Sequence, residues 1–169
     1  MNKNKYLGEL AHNTVKFLNV SGYQLALAES CSGGLIAKLL TDIPGCSSCF
    51  GYGVISYSDQ AKMSLLGVKK LTLEKHGAVS SETVKEMALG ILLKSNANIA
   101  VSISGIAGPE GGTFTKPIGT VWVGWARYFK GQQCIETEKK LFSGDRNNIR
   151  LQVAEYVFDG IIQRLSGEH

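Results

Sequence analysis

The sequence predicts one α/β domain over residues 1–169, a three-layer sandwich in which helices flank a mixed β-sheet on both faces. Short β-branched runs alternate with segments whose apolar residues recur at helical spacing. Two strand-like runs lie next to each other near the end of the chain, which indicates an antiparallel hairpin within a partly parallel sheet. The 169 residues and 44% hydrophobic content fit a domain with a substantial core.

Each predicted element has its own local signal. Helices are predicted from apolar residues one turn apart and from caps, such as Ser58 or Asp59 before the third helix and Ser80 or Ser81 before the fourth. Strands are predicted from β-branched runs bounded by glycine, with the hairpin turn at Lys130-Gly131. In chain order, these signals place helices over 5–20, 33–41, 58–66, 81–92 and 145–165, and strands over 25–28, 54–57, 99–103, 118–127 and 134–142.

The composition excludes several classes of function. The net charge is +4, and the 18 Lys and Arg residues are spread along the chain, so no nucleic-acid partner is expected. This charge still suits a small anionic ligand, which needs one or two cations. The sequence contains no apolar run of the roughly 18 residues that a membrane span needs. The first residues lack the apolar core of a signal peptide, which favours a cytoplasmic location.

The four cysteines do not predict a metal site. Cys46 and Cys49 have CxxC spacing, but zinc would require a second pair, which Cys31 and Cys134 do not supply. The motif also follows a turn, whereas a thioredoxin-like motif would follow a strand and open a helix. The cysteines are therefore interpreted as reduced, buried thiols.

Two glycine-rich loops follow predicted strands, at residues 29–34 and 104–112. Ligands of α/β sheets collect where strands end, so both loops are candidates for one crevice. The first loop also opens a helix, where free N–H groups favour a phosphate or a developing oxyanion. It lacks the pattern of a Walker loop. The alternative is a tight turn that requires small residues only for packing.

A serine in the first loop would need a base to become a nucleophile. The three histidines, His12, His76 and His169, lie on a helix, in a loop and at the terminus, so a Ser-His-Asp triad fits poorly. A buried neutral lysine can replace histidine, and Lys62 lies in the first turn of a helix that follows a strand. The alternative is an ordinary solvated lysine.

Six segments in the same order resemble one known family. They are Ala28–Gly34, Tyr57–Lys62, His76–Ser80, Ser104–Pro109, Lys116–Trp122 and Gly144–Arg146. The resemblance is to the nicotinamide mononucleotide deamidase family, also known as the C-terminal domain of the competence/damage-inducible protein CinA. It covers nearly the whole chain, and several ordered segments are far more specific than a single motif.

The resemblance implies a serine amidohydrolase that needs no metal or cofactor. Such an enzyme converts nicotinamide mononucleotide to nicotinic acid mononucleotide and ammonia. The resemblance makes Ser30 the nucleophile and Lys62 the general base. It places Tyr57 close enough to Lys62 to relay a proton or to orient the amine. The alternatives are a non-catalytic module that binds pyridine nucleotides and a partner of DNA.

The remaining candidates are expected to bind the substrate. Arg146 is expected to hold the phosphate, and Ser104 and Gly105 are expected to contact the ribose or nicotinamide. The other candidate binding residues, among which the N–H groups of the last three are possible oxyanion donors, are Ser32, Gly33, Gly34 and Ser47. Ser32 replaces the family's usual threonine, and Cys46-Ser47 replaces its more frequent Ser-Ser. A homo-oligomer is expected.

Overall fold

The computed structural model describes residues 3–166 and confirms the three-layer α/β fold. One five-stranded sheet lies between two layers of helices. The helices are α1 (Lys3–Ser21), α2 (Leu35–Thr41), α3 (Asp59–Leu66), α4 (Lys70–His76), α5 (Ser81–Ser95) and α6 (Arg146–Ser166), and a short 3₁₀ helix spans Cys46–Ser48. The strands are β1 (Leu25–Glu29), β2 (Phe50–Ile55), β3 (Ile99–Gly105), β4 (Thr120–Phe129) and β5 (Gln132–Leu141).

The sheet has the strand order β2-β1-β3-β4-β5 and is mixed, as the sequence predicts. Strand β1 is central and pairs in parallel with both β2 and β3. Strands β3, β4 and β5 pair antiparallel, and the predicted hairpin joins the last two. Because β1, β2 and β3 are parallel, the segments that follow them meet on one side of the sheet, beyond the carboxyl ends of these strands.

The alternation of side chains along β1 divides the core between the two faces. Leu25 and Leu27 belong to the cluster packed under α1, α2 and α6. Ala26 and Ala28 belong to the cluster packed under α3 and α5. All of these side chains are buried, which explains the continuous apolar run of a central parallel strand.

The predicted elements are present, but some boundaries are wrong. β2 begins at Phe50, four residues earlier than predicted. The prediction misses these residues because glycines at 51 and 53 weaken the strand pattern. β3 continues through Ser104 to Gly105, which the sequence assigns to a loop. Helix α4 is not predicted at all, since it has only two turns and one buried apolar residue. His76 therefore ends a helix and is not in a loop.

No helix within residues 3–166 is both long and apolar enough to cross a membrane.

Candidate active site

Ser30 and Lys62 meet at the edge of the sheet where β1 and β2 end. Lys62 Nζ lies 3.0 Å from Ser30 Oγ and also donates to the carbonyl oxygen of Ser56 at 2.8 Å. Both side chains are buried: Ser30 is 7% exposed and Lys62 is 1% exposed. The structure thus brings together the two residues that the sequence singles out as nucleophile and base.

Helix α3 places the Lys62 amine next to the residues that follow β1 and β2. The Ser58 hydroxyl caps this helix by accepting from the N–H of Ala61 at 3.0 Å, and Lys62 follows in the same turn. Burial removes the ammonium from water and lowers the pKa of Lys62, although the nearby Asp59 carboxylate opposes that shift. The structure excludes the alternative of an ordinary solvated lysine. A buried amine with a lowered pKa can accept a proton from a hydroxyl.

Residues 30–34, here called the Ser30 turn, connect β1 to α2 through two left-handed glycines. Gly33 has φ +61° and Gly34 has φ +88°, values that side chains rarely tolerate. The Ser30 N–H donates to the Ile103 carbonyl at 2.9 Å, which ties the start of the turn to β3. The two glycines are therefore required by the backbone of this turn.

The buried carboxylate of Glu29 fills the amino end of α2. It accepts from the N–H groups of Gly34 at 3.0 Å, Ile36 at 3.3 Å and Ala37 at 2.8 Å. A carboxylate at a helix amino terminus satisfies free donors and complements the helix dipole. The expectation of a phosphate cradle or oxyanion site at this helix start is wrong, because the protein's own carboxylate occupies it.

The hydrogen bonds of the Ser30 turn also correct the expected oxyanion donors. The N–H of Gly33 donates to the Ser30 carbonyl at 3.0 Å, and the N–H of Gly34 donates to Glu29. Neither group is free for a ligand. Within the described chain, the N–H groups of Cys31 and Ser32 have no backbone carbonyl or carboxylate acceptor.

The Cys31 thiol, next to Ser30 in sequence, is not a competing nucleophile. Burial raises the pKa of Cys31 to about 12. A thiol with this pKa stays protonated at neutral pH, and the thiolate is the reactive form.

Arg150 is a residue of this site that is not predicted from the sequence. Its guanidinium donates twice to the Ser32 carbonyl, from Nε at 3.0 Å and Nη2 at 2.6 Å, and it packs against Gly33. Arg150 lies one helical turn after Arg146 on α6, so both point toward the same edge of the sheet. This spacing is the signal that could have identified it.

Tyr57 contacts Arg146 and not Lys62, which corrects its expected position. Arg146 Nη2 donates to the Tyr57 hydroxyl at 2.7 Å, and Nη1 donates to the Gly108 carbonyl at 2.8 Å. Neither of the hydrogen bonds of Lys62 involves Tyr57. Tyr57 and Arg146 are exposed, so together they form an accessible polar wall between the β2 and β3 ends of the site.

The three remaining candidates divide between the two ends of the sheet. Ser104 is buried and its hydroxyl donates to the Ala78 carbonyl at 2.7 Å. The absence of a side chain at Gly105 is explained by strand packing, because a Cβ would lie 2.6 Å from Val121 Cγ2. Ser47 is exposed in the 3₁₀ helix beside the start of β1. A five-residue strand of about 3.3 Å per residue separates it from Ser30, so within one chain it is no oxyanion donor.

The cysteines and histidines form no second catalytic group within residues 3–166. All four cysteines are free thiols, but the expectation of buried thiols holds only for Cys31 and Cys49, since Cys46 and Cys134 are partly exposed. This part of the chain has no cluster of His, Cys, Asp or Glu that could hold a metal ion. His76 pairs with Glu82 at 3.6 Å, and His169 lies outside the described residues.

The fold indicates the class of protein to which this chain belongs. The structure is similar to the crystal structure of a competence-damaged protein (CinA) superfamily protein from Klebsiella pneumoniae 700603, with a TM-score of 0.88 and 38% identity. The match covers 95% of this chain and 98% of that one.

The sequence then identifies the family. Residues 7–165 match the CinA C-terminal domain, and the chain belongs to that family. It is 51% identical over 152 residues to a nicotinamide-nucleotide amidohydrolase PncC of Enterobacter agglomerans, which covers 90% of this chain and 91% of that protein. It is 45% identical over 159 residues to a putative competence-damage inducible protein of Caldanaerobacter subterraneus subsp. tengcongensis, of which it spans 38%.

Proposed function

We propose that this chain is a nicotinamide mononucleotide amidohydrolase, which releases ammonia and nicotinic acid mononucleotide. The observation that carries the chemistry is the buried contact of 3.0 Å between Ser30 Oγ and Lys62 Nζ. The substrate is supported by the similar amidohydrolase of Enterobacter agglomerans, whose length this chain almost fully covers. The product would feed the recycling of pyridine nucleotides.

The proposed reaction has two steps that share one base. Neutral Lys62 takes the proton of Ser30 while Oγ attacks the carboxamide carbon, and the lysine then gives that proton to the departing ammonia. Water next attacks the nicotinyl ester on Ser30, with Lys62 accepting a proton from the water and returning it to Oγ. The carboxylic acid product leaves and the serine is regenerated.

The oxyanion formed in each step needs donors close to Ser30. The N–H groups of Cys31 and Ser32 follow the nucleophile directly and have no backbone or carboxylate acceptor in residues 3–166. The N–H that follows a nucleophile serves this purpose in other hydrolases. Arg150 supports the arrangement, because its two hydrogen bonds to the Ser32 carbonyl orient the peptide groups of the turn.

Arg146 is proposed to bind the substrate phosphate. It begins α6 and is exposed, and its guanidinium already holds the Tyr57 hydroxyl and the Gly108 carbonyl. Those two contacts hold the guanidinium in one orientation, from which it can make a bidentate contact with phosphate oxygens. Tyr57 is thereby proposed as a residue that positions Arg146. Ser104 remains a proposed contact for the ribose or nicotinamide.

The decisive experiment measures ammonia release from nicotinamide mononucleotide. We expect the wild type to release ammonia and Ser30→Ala to be slower by about 10³-fold or more, since the variant removes the attacking atom. Ser48→Ala is the matched control, because Ser48 is exposed at the opposite end of β1 and should retain full activity. Binding without ammonia release by the wild type would favour the alternative, a non-catalytic module that binds pyridine nucleotides.

The proposal extends to the setting of the enzyme. We infer a cytoplasmic homo-oligomer in which residues 1–169 act as one domain without cofactor or nucleic-acid partner. The even distribution of the +4 charge supports the absence of a nucleic-acid partner. The uncharged edge strand β2, which leaves Tyr52 and Ile55 exposed, supports the oligomer.

A further inference from the structure

A second concave site lies between α4, α5 and the connection from β3 to β4. Its volume is about 420 Å³, within the range of small-molecule sites. None of Ser30, Lys62, Tyr57 or Arg146 lines it. The lining residues that matter here are Lys75, His76, Glu82, Lys116, Trp122 and Lys139.

The charges around this cavity are unbalanced. Glu82 is its one acidic lining residue, and that carboxylate lies 3.6 Å from the imidazole of His76. Lys75, Lys116 and Lys139 form no ion pair with any residue between 3 and 166. Three ammonium groups and one carboxylate around one concave surface leave an excess of positive charge, which attracts an anion.

The fold anchors the Lys116 ammonium and directs the Lys139 side chain to the same face of the sheet as Trp122. Lys116 is half-buried, and its Nζ donates to the His76 carbonyl at 3.1 Å at the end of α4. Lys139 and Trp122 are direct partners in the β4–β5 ladder, so their side chains leave the same face of the sheet. The cavity therefore combines cations with a half-buried indole on one wall.

We propose that this cavity binds a nucleotide, by its phosphate at Lys116 and Lys139 and by its aromatic ring at Trp122. Lysine is a common phosphate ligand, and an indole offers a planar apolar surface for a base. Its lining includes neither the proposed catalytic pair nor Arg146, the residue proposed to hold the substrate phosphate. The inference does not depend on the proposed amidohydrolase activity.

Tryptophan fluorescence tests the proposal without turnover. Trp122 lines the cavity, whereas Trp125 is buried in the core and supplies a constant background. We would titrate the Ser30→Ala protein with adenosine 5′-monophosphate and, separately, with adenosine and inorganic phosphate. We expect saturable fluorescence change with the monophosphate and much weaker binding of the other two probes.

Substitutions then assign the site. Lys116→Ala and Lys139→Ala, each in the Ser30→Ala protein, should raise the Kd for the monophosphate about tenfold, because each removes a charged contact. Lys139 is exposed, so its variant should fold even if the Lys116 variant does not. Lys70→Ala is the control, since Lys70 is exposed, pairs with Glu74 and does not line the cavity.

Three results would overturn the proposal. The first is the absence of saturable binding at millimolar concentrations of the monophosphate. The second is adenosine binding as tightly as the monophosphate, which would remove the role of the phosphate. The third is binding that Arg146→Ala abolishes and the Lys116 and Lys139 variants leave unchanged, which would assign the ligand to the substrate cleft.

Discussion

Lys62 is a long cationic side chain that is as buried as the leucines around it. A lone ammonium in the interior is costly, and its free energy is reduced when the amine is neutral and hydrogen-bonded. The Ser56 carbonyl and the Ser30 hydroxyl provide those hydrogen bonds, and burial lowers the pKa of Lys62. The environment that is unfavourable for a charged lysine is thus the one that makes it a base.

The pH dependence of catalysis follows from the state of Lys62. The neutral amine is the active form, so kcat/KM should rise with pH and level off above the lowered pKa of Lys62. Below that pKa, kcat/KM should fall about tenfold per pH unit, because one proton inactivates the base. The measurement is initial ammonia release at saturating and limiting substrate across pH.

Lys62→Arg is the matched variant for this prediction. Arginine stays protonated and cannot act as a neutral base, so we expect activity to fall about 10³-fold at the pH where the wild type is most active. Substantial activity in the Lys62→Arg protein would contradict the role of Lys62 as base.

At this scale, the sequence predicts the pair Ser30 and Lys62 but not all that surrounds it. Their positions after strands are a local signal, whereas the choice of Ser30 as the nucleophile rests on the family resemblance. The predicted contact of Tyr57 with Lys62 is wrong, because the Tyr57 side chain turns outward to Arg146, 89 residues later in the chain. Contacts of Glu29 with the start of α2 depend on the backbone of the Ser30 turn, which composition does not define.

Helices α3 and α5 pack closely against each other, and α3 carries the proposed base, Lys62. A Cβ at Gly90 in α5 would lie 1.8 Å from the carbonyl oxygen of Leu66 at the end of α3. Only glycine permits this separation of the two backbones. Because Lys62 lies one turn before Leu66 on α3, a displacement of this helix would also move Lys62.

We expect Gly90→Ala to destabilise the protein and to misplace the base. The added methyl group must push α3 away, which should cost about 2 kcal/mol in the free energy of unfolding. Activity should fall together with stability. Urea unfolding and ammonia release measure the two effects.

Gly8→Ala is the control for this prediction. Gly8 lies in α1, and apart from the adjacent residues and backbone of that helix no atom lies within 4 Å of the place that an added methyl group would take, so alanine should stabilise the helix by about 0.5–1 kcal/mol. Equal stabilities of the Gly90→Ala and Gly8→Ala proteins would contradict the close packing of α3 on α5.

Some helices and strands are easier to predict from the sequence than others, and the reasons are physical. Helix α5 is predicted well because its cap, Ser80, and its apolar face agree. Helix α4 is missed because Leu73 is its one buried apolar residue, and such a short helix depends on contacts with α5. The start of β2 is missed because Gly51 and Gly53 have little strand preference, and because its pairing with β1, which shifts register at Gly51, is a long-range contact.

The whole molecule presents two different edges of its sheet. β5 carries charged side chains, at Glu136, Glu138, Lys139 and Lys140, that discourage pairing with another strand. β2 has no charged residue, and Tyr52 and Ile55 are exposed, at 43% and 54%. This open edge is therefore the surface that we propose for contact with a second copy of the chain.

Light scattering tests the homo-oligomer. We expect the wild type to be a dimer or larger at micromolar concentration and Tyr52→Lys to raise the dissociation constant about tenfold or more, because a charge would be buried at the pairing edge. Gln133→Lys on the opposite edge, β5, is the control and should leave the assembly unchanged. A monomeric wild type would contradict the expectation.

The bond between the Ser30 N–H and the Ile103 carbonyl also has a consequence for biosynthesis. The turn that holds Ser30 is anchored to a strand made more than seventy residues later, and β1 gains its second neighbour only then. Contacts of such long range form late, after the loop-closure cost has been met. A nascent chain that has emerged only through α3 contains both Ser30 and Lys62, yet we expect it to be inactive until β3 arrives.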